Sequence, residues 1–222
     1  MPVKGLEPGP LFEEIRKSAL ERLGLAHEAV MRHADDYLFD RSANNAEGAE
    51  LTALRDLRRA RAQLWRTFGE SIEASFAALL QEPDGTPAKH VLNLLSEDAL
   101  EEQLASEQMV DSLARRHAAS LELLEQRLAV LVDRSALAAG SNPIGPAALA
   151  KATRQSLASV ELSTGLRIAM YKFMERELAT ALTPLYDRIN ARLGEGGILP
   201  RLLPSAPTVR EVQPADAAAV AS

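Results

Sequence analysis

The chain has 222 residues, room for one domain or one domain with a tail, and is 46% hydrophobic and 25% charged, as folded globular proteins are. It has no Cys, which excludes disulfides, thiolate metal sites and cysteine nucleophiles, and its formal charge of −6 speaks against a general nucleic-acid binder. Aromatics are 4%, so the core must be Leu and Ala, both strong helix formers, and the expected class is all-α: a bundle of long, mainly antiparallel helices.

Residues 1–9 read as a short disordered lead. Pro10 suits the first turn of a helix, where its missing N–H would be unpaired anyway. The first helix is expected over about 11–41, with the stripe Leu11, Ile15, Ala19, Leu23, Ala26, Val30, Ala34, Leu38. Gly24 inside it marks a place for a bend or break. Ser42 to Asn45 form a turn with N-cap residues. A second helix over about 46–81 carries Leu54, Leu57, Leu64, Phe68, Ile72, Phe76 and Leu79. Pro83, Gly85 and Pro87 break it. The apolar piece over 91–95 leaves its type open between a cover for the bundle end and a short strand.

A third helix is expected from about 97 to 132, uninterrupted by Pro or Gly and ~50 Å long at 1.5 Å per residue. Its stripe reads Val110, Ala114, His117, Leu121, Leu124, Leu128, Leu131. The stretch 139–143 ends it, and Pro146 opens a fourth helix that carries on to Gly194. Gly165 is expected to punctuate this last segment, and Pro184 to kink or split it, with Thr183 as the cap of a fresh helix. Gly196 and Gly197 stop it. The folded domain therefore spans 10–203. From 204 to 222 the composition turns to Pro, Ala and Val, a linker or disordered tail, which suggests that the natural protein continues. The N-terminus has no signal-peptide core and no apolar run spans a bilayer, so a cytoplasmic location is expected.

Six stretches occur in a telling order. They are Asp36-Tyr37-Leu38-Phe39-Asp40 with Asn44-Asn45, Leu54-Arg55-Asp56-Leu57-Arg58, and Leu124-Glu125-Gln126-Arg127-Leu128. Asn142-Pro143-Ile144-Gly145-Pro146, Tyr171-Lys172-Phe173-Met174-Glu175-Arg176 and Ile198-Leu199-Pro200-Arg201-Leu202 follow. Over about 11–202 the series resembles the N-terminal region of the proteobacterial domain-of-unknown-function family 1631. The resemblance implies a bacterial, multi-domain, cytoplasmic protein and supplies no catalytic residues. Some members carry an old thymidine-phosphorylase label, but no Gly-rich phosphate loop is present here.

Catalytic and metal signatures are missing. No histidine among His27, His33, His90 and His117 has Glu three residues before it, as helical di-iron sites require. His27 and His33 are six apart and point away from each other, so packed or solvated imidazoles are expected. There is no nucleophile elbow, and Asp35-Asp36 and Glu101-Glu102 read as solvated faces. No cofactor, metal ligand or catalytic residue is assigned.

One basic cluster stands out. Arg55, Arg58, Arg59 and Arg66 fall within about one third of the surface of the second helix. They can meet an anionic partner, or pair with acids on a neighbouring helix. The Arg-x-x-x-Arg spacing at Arg55 and Arg59 lacks the strand and following motif of cyclic-di-GMP-binding barrels. Arg61 points along the apolar stripe and is expected to be ion-paired on the inner side, with Asp35, Asp36 or Asp40. His117 is expected to be a buried, neutral imidazole that needs a partner for its ring N–H. The reading is a non-catalytic interaction or regulatory domain with an unknown protein partner. The alternatives are part of an enzyme whose site lies in absent domains, and an anion, nucleotide-signal or nucleic-acid binder using the arginine stripe.

Overall fold

The computed structural model describes residues 9–44, 49–81 and 96–201. Among them are six helices and no strand: α1 (Pro10–Asn44), α2 (Ala49–Leu79), α3 (Glu97–Arg116), α4 (Ala118–Leu131), α5 (Pro146–Ala158) and α6 (Thr164–Glu195). The all-α class expected from composition is the class the chain adopts. The lead up to residue 8, the breaker over 83–87, His90, the apolar piece over 91–95 and the tail over 204–222 lie outside the described residues.

α1 packs against α2 on one side and α6 on the other, α5 lies against α2 and α3, and α6 also carries α3 and α4. Cross-helix contacts give the directions. Arg16 meets Glu73 and Arg58 meets Asp35, so α1 and α2 are antiparallel. Glu14 meets Arg192 and His33 meets Glu177, so α1 and α6 are antiparallel as well. Glu102 meets Arg167 while His117 meets Tyr186, so α3–α4 runs parallel to α6. This departs from the mainly antiparallel pattern. It is made feasible by α5, which carries the chain back along the bundle before α6 begins.

The predicted stripes of the first two helices are buried, apart from Leu11, which is partly buried. Gly24 does not break α1. A Cβ there would stand 3.3 Å from the Trp65 ring, so the glycine lets α2 approach closely. The third helix is not continuous: it is interrupted at His117, whose φ is −111° and ψ 16°. Backbone bonds persist across it, from His117 N–H to Leu113 and from Leu121 N–H to His117. Steps of four do not account for it, since Leu64, Phe68, Ile72 and Phe76 step by four three times along the unbroken α2 and are all buried. Leu113, His117 and Leu121 are all buried across the interruption. The true stripe of α3 is Ser106, Met109 and Leu113, one position before the expected Val110 and Ala114, which are only partly buried.

The fourth segment divides before Gly165, not at it. α5 ends at Ala158, and Ser163 caps α6 by accepting from Leu166 N–H at 3.4 Å. Pro184 neither kinks α6 into two helices nor makes Thr183 a cap, because α6 is one helix through both. The proline sits on the exposed side, while Leu182 and Leu185 beside it are buried against the bundle and hold the helix together. Gly197, at φ +84°, ends it: Ile198 N–H reaches Leu193 and Gly197 N–H reaches Gly194, the paired bonds of a Schellman stop.

Candidate functional site

The outer face of α2 follows from its inner one. Leu54, Leu57, Leu64 and Phe68 face the core, which leaves Arg55, Arg58, Arg59 and Arg66 on the exposed side of the helix. Three of these arginines, with Leu51 and Leu54, line an open depression of about 420 Å³. Leu51 is 50% exposed. The four guanidinium groups are not equivalent. Arg58 is held by Asp35 of α1 at 3.0 Å. Arg59 has only the loose, same-helix contact with Asp56 at 3.7 Å, and Arg66 donates to Gln63 at 3.4 Å. Arg55 has no charged partner among the described residues. Pairing with the neighbouring helix thus accounts for Arg58 alone. The depression offers guanidinium donors beside apolar surface, a combination that can hold a carboxylate or phosphate next to an apolar group.

Arg61 differs from expectation in partner and in depth. It pairs with Glu28, not with Asp35, Asp36 or Asp40, and its side chain is 38% exposed. Asp35, two turns along α1 from Glu28, is held by Arg58, and the long Arg61 side chain carries its charge outward along the helix to Glu28. An exposed pair of this kind contributes little, typically about 0–1 kcal/mol.

His117 is buried at 5% exposure, with its ring edge-on to Tyr186 at 5.5 Å. The ring Nε2 has no hydrogen-bond partner among the described residues. Burial, reinforced by Arg116, pushes its pKa down, against a backbone contact with Ala179 and the charge of Asp187. His27 is also buried, against Trp65 at 5.4 Å and Phe68 at 6.2 Å. Burial takes its pKa down to about 4, with Glu28 opposing and Arg61 adding to the shift. His33 lies at the surface, 2.9 Å from Glu177. Among the described residues no group of three or more His, Asp and Glu could hold a metal ion.

A second polar feature lies inside. Arg127 of α4 is 7% exposed and donates to Asn190 Oδ1 at 2.8 Å and to the Leu199 carbonyl at 3.2 Å. Asn190 in turn donates to the Ser120 carbonyl at 3.0 Å. The guanidinium is thus satisfied by neutral acceptors, except at Nε, which is buried without a partner. It ties α4, α6 and the turn after α6 together, with Leu199 in the left-handed region at φ 45°. The loop before α5 is buried in the same way. Asn142 Oδ1 accepts from Ile144 N–H, its carbonyl accepts from Gly145 N–H, and the Tyr186 hydroxyl donates to the Ile144 carbonyl at 2.7 Å. A Cβ at Gly145 would stand 3.1 Å from Asn142, so a larger residue there would push Asn142 aside by a few tenths of an ångström.

Sequence reasoning did not single out Arg127 or Asn190, and it left His27 open between a packed and a solvated imidazole; it is packed. A signal existed for Arg127: it stands three residues after Leu124 and four before Leu131, on the helical face of the apolar stripe. None existed for Asn190, whose partners are distant in the chain.

Long helices packed around a Leu and Ala core, with exposed charge outside, define an all-α domain. The chain belongs to the family described as protein of unknown function (DUF1631) N-terminal domain, whose model matches residues 7–197. No curated protein and no solved structure matches it.

Proposed function

We propose that this chain is a non-catalytic interaction domain at the front of a larger bacterial cytoplasmic protein, and that the arginine end of α2 meets an acidic surface of a partner protein. The observation that carries this reading is Arg55, exposed and without a charged partner, beside the half-exposed Leu51. Interfaces are enriched in Arg, and unpaired guanidinium groups next to apolar surface are their usual anchors. The depression is open and lacks a nucleophile with an adjacent base, so it favours binding over chemistry. No helix among the described residues is long and apolar enough to cross a membrane, which agrees with a partner met in solution.

A photo-crosslinking residue at position 51 of the natural protein tests this in cells. The expected result is one dominant crosslinked acidic protein, lost by about tenfold in Arg55→Glu/Arg59→Glu, as charge reversal at an interface predicts. The melting temperature of the variant should stay within about 2 °C of the parent, because both side chains are exposed. Crosslinking that ignores the charge reversal, or that a free nucleotide abolishes, would overturn the protein-partner reading.

A further inference from the structure

The seam between α1 and α6 is tied at both ends and open in the middle. At one end Arg192 grips Glu14 through two bonds, of 2.7 and 3.0 Å. Toward the other end His33 meets Glu177 at 2.9 Å. Between them the antiparallel register sets Arg22 of α1 across from Arg188 of α6. Both line a groove of about 290 Å³, both are exposed, and neither has an ion-pair partner among the described residues. Two cations without ion-pair partners therefore share one groove, at a level of the seam between its two ion pairs. Such a pair is relieved by an anion placed between the two cations.

The rest of the groove narrows the class of anion. Pro184 and Leu185 line it on the α6 side, and Leu25, at 63% exposure, stands on the α1 side. The groove also contains Glu21, which makes no ion pair with either arginine. Glu21 reduces the local charge to that of a single cation, which matches one carboxylate better than a doubly charged phosphate. The exposed leucine offers a place for an apolar side chain beside that carboxylate.

We propose that this groove is a second binding site, independent of the arginine end of α2. It takes a segment of a partner protein that carries an Asp or Glu carboxylate next to an apolar side chain. The carboxylate sits between the Arg22 and Arg188 guanidinium groups, and the apolar side chain rests on Leu25 and the ring of Pro184.

The test uses the intact 222-residue chain and an N-acetylated Leu-Glu-Leu amide peptide, with the Leu-Gln-Leu peptide and inorganic phosphate as comparison arms. The readout is the NMR shift of the Arg22 and Arg188 Nε–H groups and of the Leu25 methyl groups. Saturable shifts of all three are expected with the Glu peptide, with binding about tenfold weaker for the Gln peptide, as loss of a charge-assisted pair predicts. Arg22→Gln and Arg188→Gln should each weaken binding by a similar factor, whereas Arg22→Lys retains part of it and Arg55→Glu/Arg59→Glu leaves it unchanged. Unchanged amide spectra outside the groove establish that the variants are folded. Equal binding of the Gln peptide, or no saturable shift, would overturn the proposal. Phosphate that reproduces the arginine shifts as tightly as the peptide, with Leu25 unmoved by either, would overturn it in favour of a simple anion site.

Discussion

At the scale of single residues the notable groups are polar side chains placed where the core is. His27 is packed against Trp65 and Phe68, and burial keeps its pKa near 4. A histidine whose folded pKa lies below its unfolded value of about 6.5 supports the fold fully above that value. The support is lost as pH falls from about 6.5 through 4, where folding must either exclude a proton or bury a charge. Replacing His27 with Leu should therefore flatten the acid limb of stability, by on the order of 3 kcal/mol at pH 4, while changing little at pH 7.5. Urea midpoints of both forms across this range measure it, and parallel curves would mean that His27 is not buried neutral. His117 shifts in the same direction, so His117→Leu should act with the same sign. The sequence made His117 visible because it sits on a run of apolar steps. His27, beside the stripe residue Ala26, was left open between packed and solvated, since one position on a helix changes the direction of a side chain by about 100°. Arg61 shows the reverse error: its Cα direction is inward, yet its long side chain reaches Glu28 at the surface.

At the scale of elements, helix existence followed from apolar periodicity, and helix continuity did not. The interruption at His117 has no Pro or Gly to announce it, and Leu113, His117 and Leu121 on either side of it all face the core. Pro184 is the opposite case, a strong local breaker overridden by packing along both sides of α6. The end of α4 carries a correctable local cost. Asp133 takes φ 55°, and Arg134 N–H reaches the Ala129 carbonyl at 2.8 Å, so a non-glycine residue occupies the left-handed position of a helix stop. Asp tolerates this conformation better than most residues, but Gly does so without a Cβ penalty. Asp133→Gly should stabilise the chain by about 0.5–1 kcal/mol, after allowance for the greater freedom of glycine in the unfolded state. Thermal melts at neutral pH read the change directly. A lower melting temperature would show that the Asp133 side chain contributes more than its backbone costs.

At the scale of the whole molecule, the helices differ in how firmly they are held. α6 touches α1, α3 and α4 and keeps buried residues along nearly its full length, from Leu166 to Leu193. α3 begins differently, because its first buried residue is Ser106, two turns after its start. Leu100 and Leu104 in those turns are each 49% exposed. What anchors them is the Ser96 cap and Glu102, which accepts from Arg167 at 3.3 Å and from the Tyr171 hydroxyl at 3.4 Å. Burial and the Glu102 charge raise the Tyr171 pKa to about 12, so that hydroxyl remains a donor at neutral pH. The parallel course of α3–α4 beside α6 was not legible in the sequence, because periodicity reports which face is buried and says nothing of direction. Few buried contacts mean a low free energy of local opening. Amide exchange should therefore be fastest over 97–105 and slowest over 178–193 among the helices, with exchange in the second set governed by global unfolding. Glu102→Gln keeps the shape but removes the charge that both donors serve, so exchange over 97–105 should rise by about tenfold while 178–193 changes little. A uniform rise across both stretches would mean that Glu102 supports the whole bundle. Protection of 97–105 equal to that of α6 would mean that the first turns of α3 are held by contacts other than these.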